Sequence, residues 1–117
     1  MKLIGLVGTK YTMEMDFYKK RLNEENIQVL TPNAKEREFI HHIITQELLK
    51  GIFREESKKP FLQIMSRLHL QGAEGIILGC TEIPLLIKQQ DTELTLFDTL
   101  LIHSLAAADF ALGNDHS

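Results

Sequence analysis

A single cysteine ends the most hydrophobic segment of this 117-residue chain, which reads Gly75-Ile76-Ile77-Leu78-Gly79-Cys80. Lone cysteines are most often small residues of a buried core. Here Thr81 and Glu82 follow and could begin a helical turn, whose backbone N–H groups would favour a thiolate at Cys80. A thiol of that kind can remove and return a proton near neutral pH. Cys80 is therefore our candidate acid/base group, with a plain core residue as the alternative.

Two hydroxyl residues, Thr9 and Thr12, follow the first apolar run of the chain. In one interpretation, one of them simply caps the first helix. In the other, hydroxyls and free N–H groups at a helix N-terminus bind the carboxylate of a ligand. The two interpretations are compatible, and both threonines are kept as candidate substrate contacts.

Two charged residues have a plain and a functional interpretation each. Glu82 is either an exposed acid in the first turn of a helix or a group that orients a substrate ammonium or tunes Cys80. Lys50 is either a dipole partner at the C-terminus of the second helix or a positive charge for the side-chain carboxylate of a substrate.

Other chemistries find little support in the sequence. The five histidines show no metal-binding spacing, and four of them are predicted to lie on helices away from the strand ends: His41, His42, His69 and His103. With one cysteine and no compact cluster of ligands, a structural zinc site is not expected. The segment Gly5-Leu6-Val7-Gly8 lacks the spacing of a Rossmann or P-loop phosphate site.

Strands are predicted to position these residues, at 2–7, 27–30, 75–80 and 94–97. Because they alternate with helices, they predict right-handed βαβ units and an α/β fold with a four-stranded parallel sheet of order 2-1-3-4, flavodoxin-like in outline. Ligands of such sheets bind beyond the carboxyl ends of the strands, near the switch in strand order. The loops after the first and third strands should therefore meet.

The helices are predicted from apolar spacing and capping residues. The first covers about 13–25, is capped by Thr12 and turns Met13, Phe17 and Leu22 inward. The second begins with an Asn33–Glu36 capping box and stops at Gly51. The third has Pro60 in its first turn. A short helix or turn covers 83–88, and a last helix carries an apolar stripe formed by Leu101, Leu105, Ala108 and Leu112.

The composition fits one globular domain, expected at 1–112, with a flexible tail at 113–117. The net charge is −3 and no cluster of Lys and Arg stands out, which argues against nucleic acid or an anionic membrane as partner. No apolar run approaches the length of a membrane span. Because a lone cysteine forms no internal disulfide, we expect a reducing cytoplasm.

The segment Ile77-Leu78-Gly79-Cys80-Thr81-Glu82-Ile83-Pro84 resembles the second cysteine motif of the aspartate/glutamate racemases. Further resemblance follows the family's own order from about Val7 to Leu112, and it covers only the C-terminal half of the family's chain. The segments that carry it are Gly8-Thr9-Lys10-Tyr11-Thr12-Met13, Glu47-Leu48-Leu49-Lys50-Gly51, Gly72-Ala73-Glu74-Gly75, and Phe97-Asp98-Thr99 with His103.

The resemblance implies two similar α/β halves that face each other across a cleft, each supplying one cysteine. One thiolate takes the α-proton from one face of an acidic amino acid, and the other thiol returns a proton on the opposite face, without a pyridoxal cofactor. Glutamate racemases usually have His after the Cys-Thr pair, so Glu82 favours the aspartate or the broad aspartate/glutamate branch. Matched by motif are Cys80 as the second acid/base, the flanking Thr81 and Glu82, Thr9 and Thr12 as carboxylate contacts, and, more weakly, Lys50.

The family's N-terminal half, which carries its own cysteine, has no counterpart in this sequence. One copy would supply one catalytic face, so we expect it to need the missing half as its partner. Two alternatives stay open. One is a non-catalytic module that binds an acidic amino acid or dicarboxylate, and the other is a homodimer that pairs two copies of Cys80 across a cleft.

Overall fold

A computed structural model describes residues 2–97 of the chain. The predicted last helix and the predicted tail lie outside these residues. The strands are β1 (Lys2–Val7), β2 (Ile27–Leu30), β3 (Gly75–Leu78) and β4 (Thr95–Phe97). The helices are α1 (Lys10–Glu14), α2 (Asp16–Asn23), α3 (Ala34–Gln46), α4 (Glu55–Leu70) and α5 (Ile83–Leu86), with 3-10 turns at Leu48–Lys50 and Gln89–Asp91. No helix in this range is long and apolar enough to cross a membrane.

The four strands form one all-parallel sheet in the order β2-β1-β3-β4, which confirms the predicted topology. Strand β1 lies between β2 and β3, and its Ile4 is opposite Val29 on one side and Gly75 on the other. The same register puts Val7 opposite Leu78. Because the strands are parallel, β1 and β3 therefore end at the same edge of the sheet.

Apolar side chains pack on both faces of the sheet, since successive residues of a strand point to opposite sides. On β3, Ile76 and Leu78 join the larger core and Ile77 joins the smaller one. The larger core takes its helical members from α1, α3, α4 and α5, among them Met13, Ile40, Ile44, Phe61, Met65 and Ile83. The smaller core contains Ile4, Leu6, Leu22 and Ile77.

The predicted first helix is two helices, which meet at an extended Met15 (ψ 135°). Met13 of α1 packs in the larger core, whereas Leu22 of α2 packs in the smaller one on the opposite face of the sheet. A single straight helix cannot reach both faces, so the chain bends where it passes over the edge of the sheet. The predicted inward orientation of Phe17 was also wrong. Phe17 lies on α2, after the break, and its side chain is 58% exposed.

Two features of the second helix match the prediction. Asn33 accepts from the Glu36 N–H at 2.9 Å, and the Glu36 carboxylate accepts from the Asn33 N–H at 3.0 Å, which completes the capping box. The helical region ends in the 3-10 turn at Leu48–Lys50, and Gly51 follows with φ +77°. Glycine adopts that left-handed conformation without the steric penalty of a Cβ.

The position predicted for Pro60 was wrong. Helix α4 begins at Glu55, so the proline lies inside it and removes the hydrogen bond to the Glu56 carbonyl. The turn before the proline is held by tertiary contact, because the buried Ser57 hydroxyl donates to the buried Glu47 carboxylate at 2.7 Å. That contact lets the helix start earlier than its local sequence suggests.

Candidate functional site

The loops after β1 and β3 meet at one edge of the sheet, as predicted. The Gly79 N–H donates to the Val7 carbonyl at 2.6 Å, which extends the pairing of the two strands by one residue. Cys80 is the next residue after that bond, and Thr9 lies two residues after Val7. Residues about 70 positions apart in the sequence are therefore brought to one place.

Glycine at two positions lets Thr12 pack against this junction. A Cβ on Gly79 would lie 2.9 Å from Thr12 Cγ2 and 3.0 Å from the Val7 carbonyl oxygen. A Cβ on Gly8 would lie 3.1 Å from the same methyl group. Both distances to the methyl are tighter than ordinary van der Waals contact. Thr12 is therefore seated between the two loops, next to the residue that precedes Cys80.

The two threonine hydroxyls form a pair. Thr9 is the N-cap of α1: its side chain accepts from the Thr12 N–H at 3.4 Å, and the two hydroxyl oxygens are 3.1 Å apart. The interpretation of one threonine as a cap is confirmed for Thr9. The capping role assigned to Thr12 was wrong, because Thr12 is the third residue of the helix and not its boundary.

The structure places Cys80 between the core and the surface. It is a free cysteine of intermediate exposure, and part of its side chain packs against the larger core. Its carbonyl accepts from the Ile83 N–H at 3.2 Å, so a turn begins at the cysteine itself. Helix α5 follows but contains only four residues, Ile83–Leu86, so any helical field acting on the thiol comes from a single turn.

The polar neighbours of Cys80 are bonded to each other. The exposed Thr81 hydroxyl donates to the Glu82 carboxylate at 2.8 Å. Glu82 is half-buried and is the N-cap residue of α5, although its side chain makes no capping bond. This bond holds the carboxylate beside the residue that follows the cysteine.

Lys50 lies on a different element from the other candidates, the 3-10 turn that follows α3. Its ammonium group donates to the Gln46 side chain at 3.2 Å and is exposed. The 3-10 turn that carries it packs against α5, the helix that follows Glu82. Within the described residues, no hydrogen bond or ion pair joins Lys50 to Cys80, Thr9 or Thr12.

His41 was missed by sequence reasoning, which placed it away from the strand ends. Its Nδ1 accepts from the backbone N–H of Lys10 at 2.9 Å, only three residues after the end of β1. The Tyr11 ring meets the His41 ring edge-on, with centroids 6.0 Å apart. A usable signal was present, because Arg37, Glu38 and His41 repeat at helical spacing and share one face of α3.

Two ion pairs join the same two helices. The Lys10 ammonium is 2.7 Å from the Glu38 carboxylate, and Arg37 is 3.1 Å from the Glu14 carboxylate. The hydrogen bond and charge of Glu38 raise the pKa of Lys10 above its ordinary value, and Lys10 in turn lowers the pKa of Glu38. Helix α1 is thus attached to α3 through several polar contacts.

No metal centre is visible among residues 2–97, where no three His, Cys, Asp or Glu side chains come together. A surface cavity of about 420 Å³ lies at the opposite, amino-terminal end of β3 and β4, away from Cys80. It is lined by Ser66, His69, Glu74, Thr92, Glu93 and Leu94. The chemistry-bearing residues instead occupy an open edge of the sheet.

Comparison with known proteins gives a consistent result. The family model for Asp/Glu/Hydantoin racemase matches residues 1–108. A proposed Asp/Glu racemase from Yersinia pestis is 47% identical with a TM-score of 0.82, over 96% of this chain and 49% of that one. An aspartate racemase homologue from Pyrococcus horikoshii OT3 is 40% identical with a TM-score of 0.79, over 92% and 48%.

A glutamate racemase from a Carnobacterium species is 29% identical over 83 residues, which are 71% of this chain and 30% of that protein. An uncharacterised protein of Pectobacterium carotovorum is 31% identical over 93 residues, 57% of its length. The chain therefore spans about half of the solved structures, and less than two thirds of the curated relatives, that it matches.

Proposed function

The chain belongs to the Asp/Glu/hydantoin racemase family, and from that membership we propose that it supplies one catalytic face for cofactor-independent racemisation of an acidic amino acid. The observation that carries the proposal is the junction of the β1 and β3 loops, which brings the threonine pair to the strand end that bears Cys80. Aspartate is the preferred substrate in this proposal, with glutamate as a second, because Glu82 occupies the position after the Cys-Thr pair.

In the proposed reaction, the Cys80 thiolate removes the α-proton from one face of the bound amino acid. The electron pair left on the α-carbon delocalises into the carboxylate, whose oxygens then carry more negative charge. Hydrogen bonds from Thr9 and Thr12 to that carboxylate would strengthen as the charge develops, which lowers the barrier. In the reverse direction, the protonated Cys80 returns a proton to the same face.

The neighbouring residues orient the substrate in this proposal. The Glu82 carboxylate, held by the Thr81 hydroxyl at 2.8 Å, would accept a hydrogen bond from the substrate ammonium. Lys50 would attract the side-chain carboxylate, an assignment supported by its placement on a turn that packs against α5. A catalytic thiolate requires a reduced cysteine, so the proposal agrees with the predicted cytoplasmic location.

A second half is needed in this proposal, because inversion requires a proton donor on the opposite face. Several large apolar side chains are exposed on or next to two elements that contact each other, the 3-10 turn of Lys50 and α5, namely Leu49, Ile52, Phe53 and Leu85. Contiguous exposed apolar surface is typical of interfaces, so we expect these side chains to be covered by the partner. The partner is either the racemase half that this sequence does not contain or a second copy of the chain.

The test is exchange of the α-proton of L-aspartate and L-glutamate in deuterated water, combined with chiral chromatography. We expect verified monomer to exchange the proton without forming D-isomer, because one thiol serves one face. Cys80→Ser should abolish exchange and leave the urea unfolding midpoint unchanged, since serine has nearly the same shape but is far less acidic. Exchange at the wild-type rate in that variant would contradict the assignment.

Two further samples identify the partner. D-isomer that forms only after addition of the N-terminal half of the Yersinia pestis relative supports a missing half. D-isomer that rises with the concentration of this chain alone, and disappears in Cys80→Ser, supports a dimer with two thiols. Binding of aspartate without exchange in any sample would favour the non-catalytic binding module.

A further inference from the structure

Helix α1, which carries the threonine pair, cannot hold its own position. It has five residues, and Met13 is its one buried side chain. Isolated helices much longer than this are marginal in water, because the first turn fixes several residues for one hydrogen bond. The orientation of the Thr9 and Thr12 hydroxyls therefore depends on contacts that α1 makes with the rest of the molecule.

Helix α3 supplies those contacts, and the one from His41 differs from the others. Lys10–Glu38 and Arg37–Glu14 join side chains that are exposed or partly exposed, where ion pairs contribute little. His41 instead binds the backbone N–H of Lys10, the first residue of α1 and the neighbour of Thr9. That N–H is one of the donors that a helix N-terminus leaves without an internal partner.

The hydrogen bond gives His41 the role of acceptor. A backbone N–H can only donate, so Nδ1 is the acceptor in this contact. The edge-on contact with Tyr11, the residue after Lys10, holds the ring against the same turn.

We propose that His41 is a positioning residue for the Thr9–Thr12 pair: by accepting from the Lys10 N–H it holds α1 in the orientation that presents both hydroxyls to the substrate carboxylate. The inference rests on the proposed function, because it concerns the same carboxylate site. It adds a residue that binds no substrate and acts only through the backbone of the helix beside it.

The proposal separates the hydrogen bond of His41 from the packing of its ring. Asparagine accepts from the same position through Oδ1, so His41→Asn should keep the bond to the Lys10 N–H and the binding of a carboxylate. Leucine fills similar space without an acceptor, so His41→Leu should lose both.

The experiment measures binding of succinate, a dicarboxylate without an α-proton acidified by an ammonium group, to the full chain. At neutral pH we expect His41→Leu to bind about five-fold more weakly, the ordinary contribution of one hydrogen bond. His41→Asn should bind within about two-fold of the wild-type chain. The matched control is His42→Leu, which changes the adjacent, exposed histidine and should leave succinate binding unaltered.

Nitrogen-15 NMR of the wild-type imidazole and amide exchange at Lys10 give a readout that needs no variant. We expect the Nε2–H tautomer and a protected Lys10 amide. The inference is overturned if Nδ1 of the wild-type chain carries a proton. It is also overturned if His41→Leu binds succinate as tightly as the wild-type chain while its Lys10 amide loses protection. His41→Asn that binds succinate as weakly as His41→Leu overturns it as well.

The two proposals fail in different ways. Exchange that persists in Cys80→Ser overturns the proposed function and leaves the His41 result intact, because succinate binding does not need the thiol. Unchanged binding in His41→Leu, together with loss of exchange in Cys80→Ser, overturns the inference alone. A wild-type chain that binds neither succinate nor aspartate overturns both.

Discussion

Replacement of Gly79 by alanine should separate the two loops that form the candidate site. The new Cβ would lie 2.9 Å from Thr12 Cγ2 and 3.0 Å from the Val7 carbonyl oxygen. The first contact is with a side-chain methyl, which can move, and the second is with the backbone of β1, which cannot move without disturbing the sheet. Overpacking of this kind usually costs about 1–3 kcal/mol, partly offset by the lower entropy of the unfolded alanine chain.

A second substitution identifies the contact responsible. Thr12→Ser removes the methyl and by itself should cost at most about 0.8 kcal/mol, because one buried methyl is lost. In the double variant the alanine Cβ no longer meets that methyl, so the combined loss in free energy of unfolding should be smaller than the sum. We expect a coupling of roughly 0.5–1 kcal/mol, with the contact to Val7 accounting for the cost that remains.

The assay is urea unfolding followed by circular dichroism for the wild-type chain, both single variants and the double variant. Gly51→Ala gives a matched control cycle with Thr12→Ser. Gly51 has φ +77° and open space around the position of a Cβ, so its cost comes from backbone strain alone and should add to that of Thr12→Ser. Additive losses in the Gly79 cycle, equal to those of the control, would refute the close approach of the two loops.

Two further predictions concern buried and charged contacts. Ser57→Ala should lower the free energy of unfolding by about 1–3 kcal/mol, because the buried Glu47 carboxylate loses its 2.7 Å hydrogen bond. The control Ser66→Ala, on the exposed side of the same helix, should change the free energy of unfolding little. Equal effects of the two variants in urea unfolding would contradict this prediction. A hydrogen bond from the backbone N–H of Lys88 and the nearby Lys58 ammonium lower the pKa of Asp91. The stabilisation that the Asp91 carboxylate provides is therefore present above the ordinary carboxyl pKa and is lost as the pH falls through the lowered pKa. Asp91→Asn should therefore be less stable than the wild-type chain at neutral pH and equally stable in acid, and a difference that does not change with pH would count against it.

The strand order and the approach of the two loops could be predicted from the sequence because both follow from general rules. Buried apolar runs that alternate with helices allow few topologies, and parallel strands end at a common edge. The capping box at Asn33 and Glu36 was also predictable, since each partner lies within three residues of the other. These features depend on the local sequence or on the connectivity of the fold.

The features that were predicted wrongly depend on tertiary contacts. The break at Met15 exists because Met13 and Leu22 pack on opposite faces of the sheet, and neither residue signals its face from the local sequence. Pro60 lies inside α4 because Ser57 bonds to a residue ten positions earlier. His41 was placed away from the site because its partner is a backbone N–H, which any residue at that position would supply, and helical spacing on α3 alone does not identify that partner.

The central place of β1 in the sheet also affects how the chain is made. Leu3 donates through its backbone N–H to the Glu74 carboxylate 71 residues later, next to the first residue of β3. A ribosome that adds 5–20 residues per second needs roughly 4–14 s to cover that distance. During this interval β1 can pair with β2, but the backbone groups that later bond to β3 have no partner strand. An apolar strand in that state is exposed to unwanted pairing. The threonine pair and the cysteine come together only when β3 pairs with β1, so the site of a nascent chain is assembled after β3 has been made.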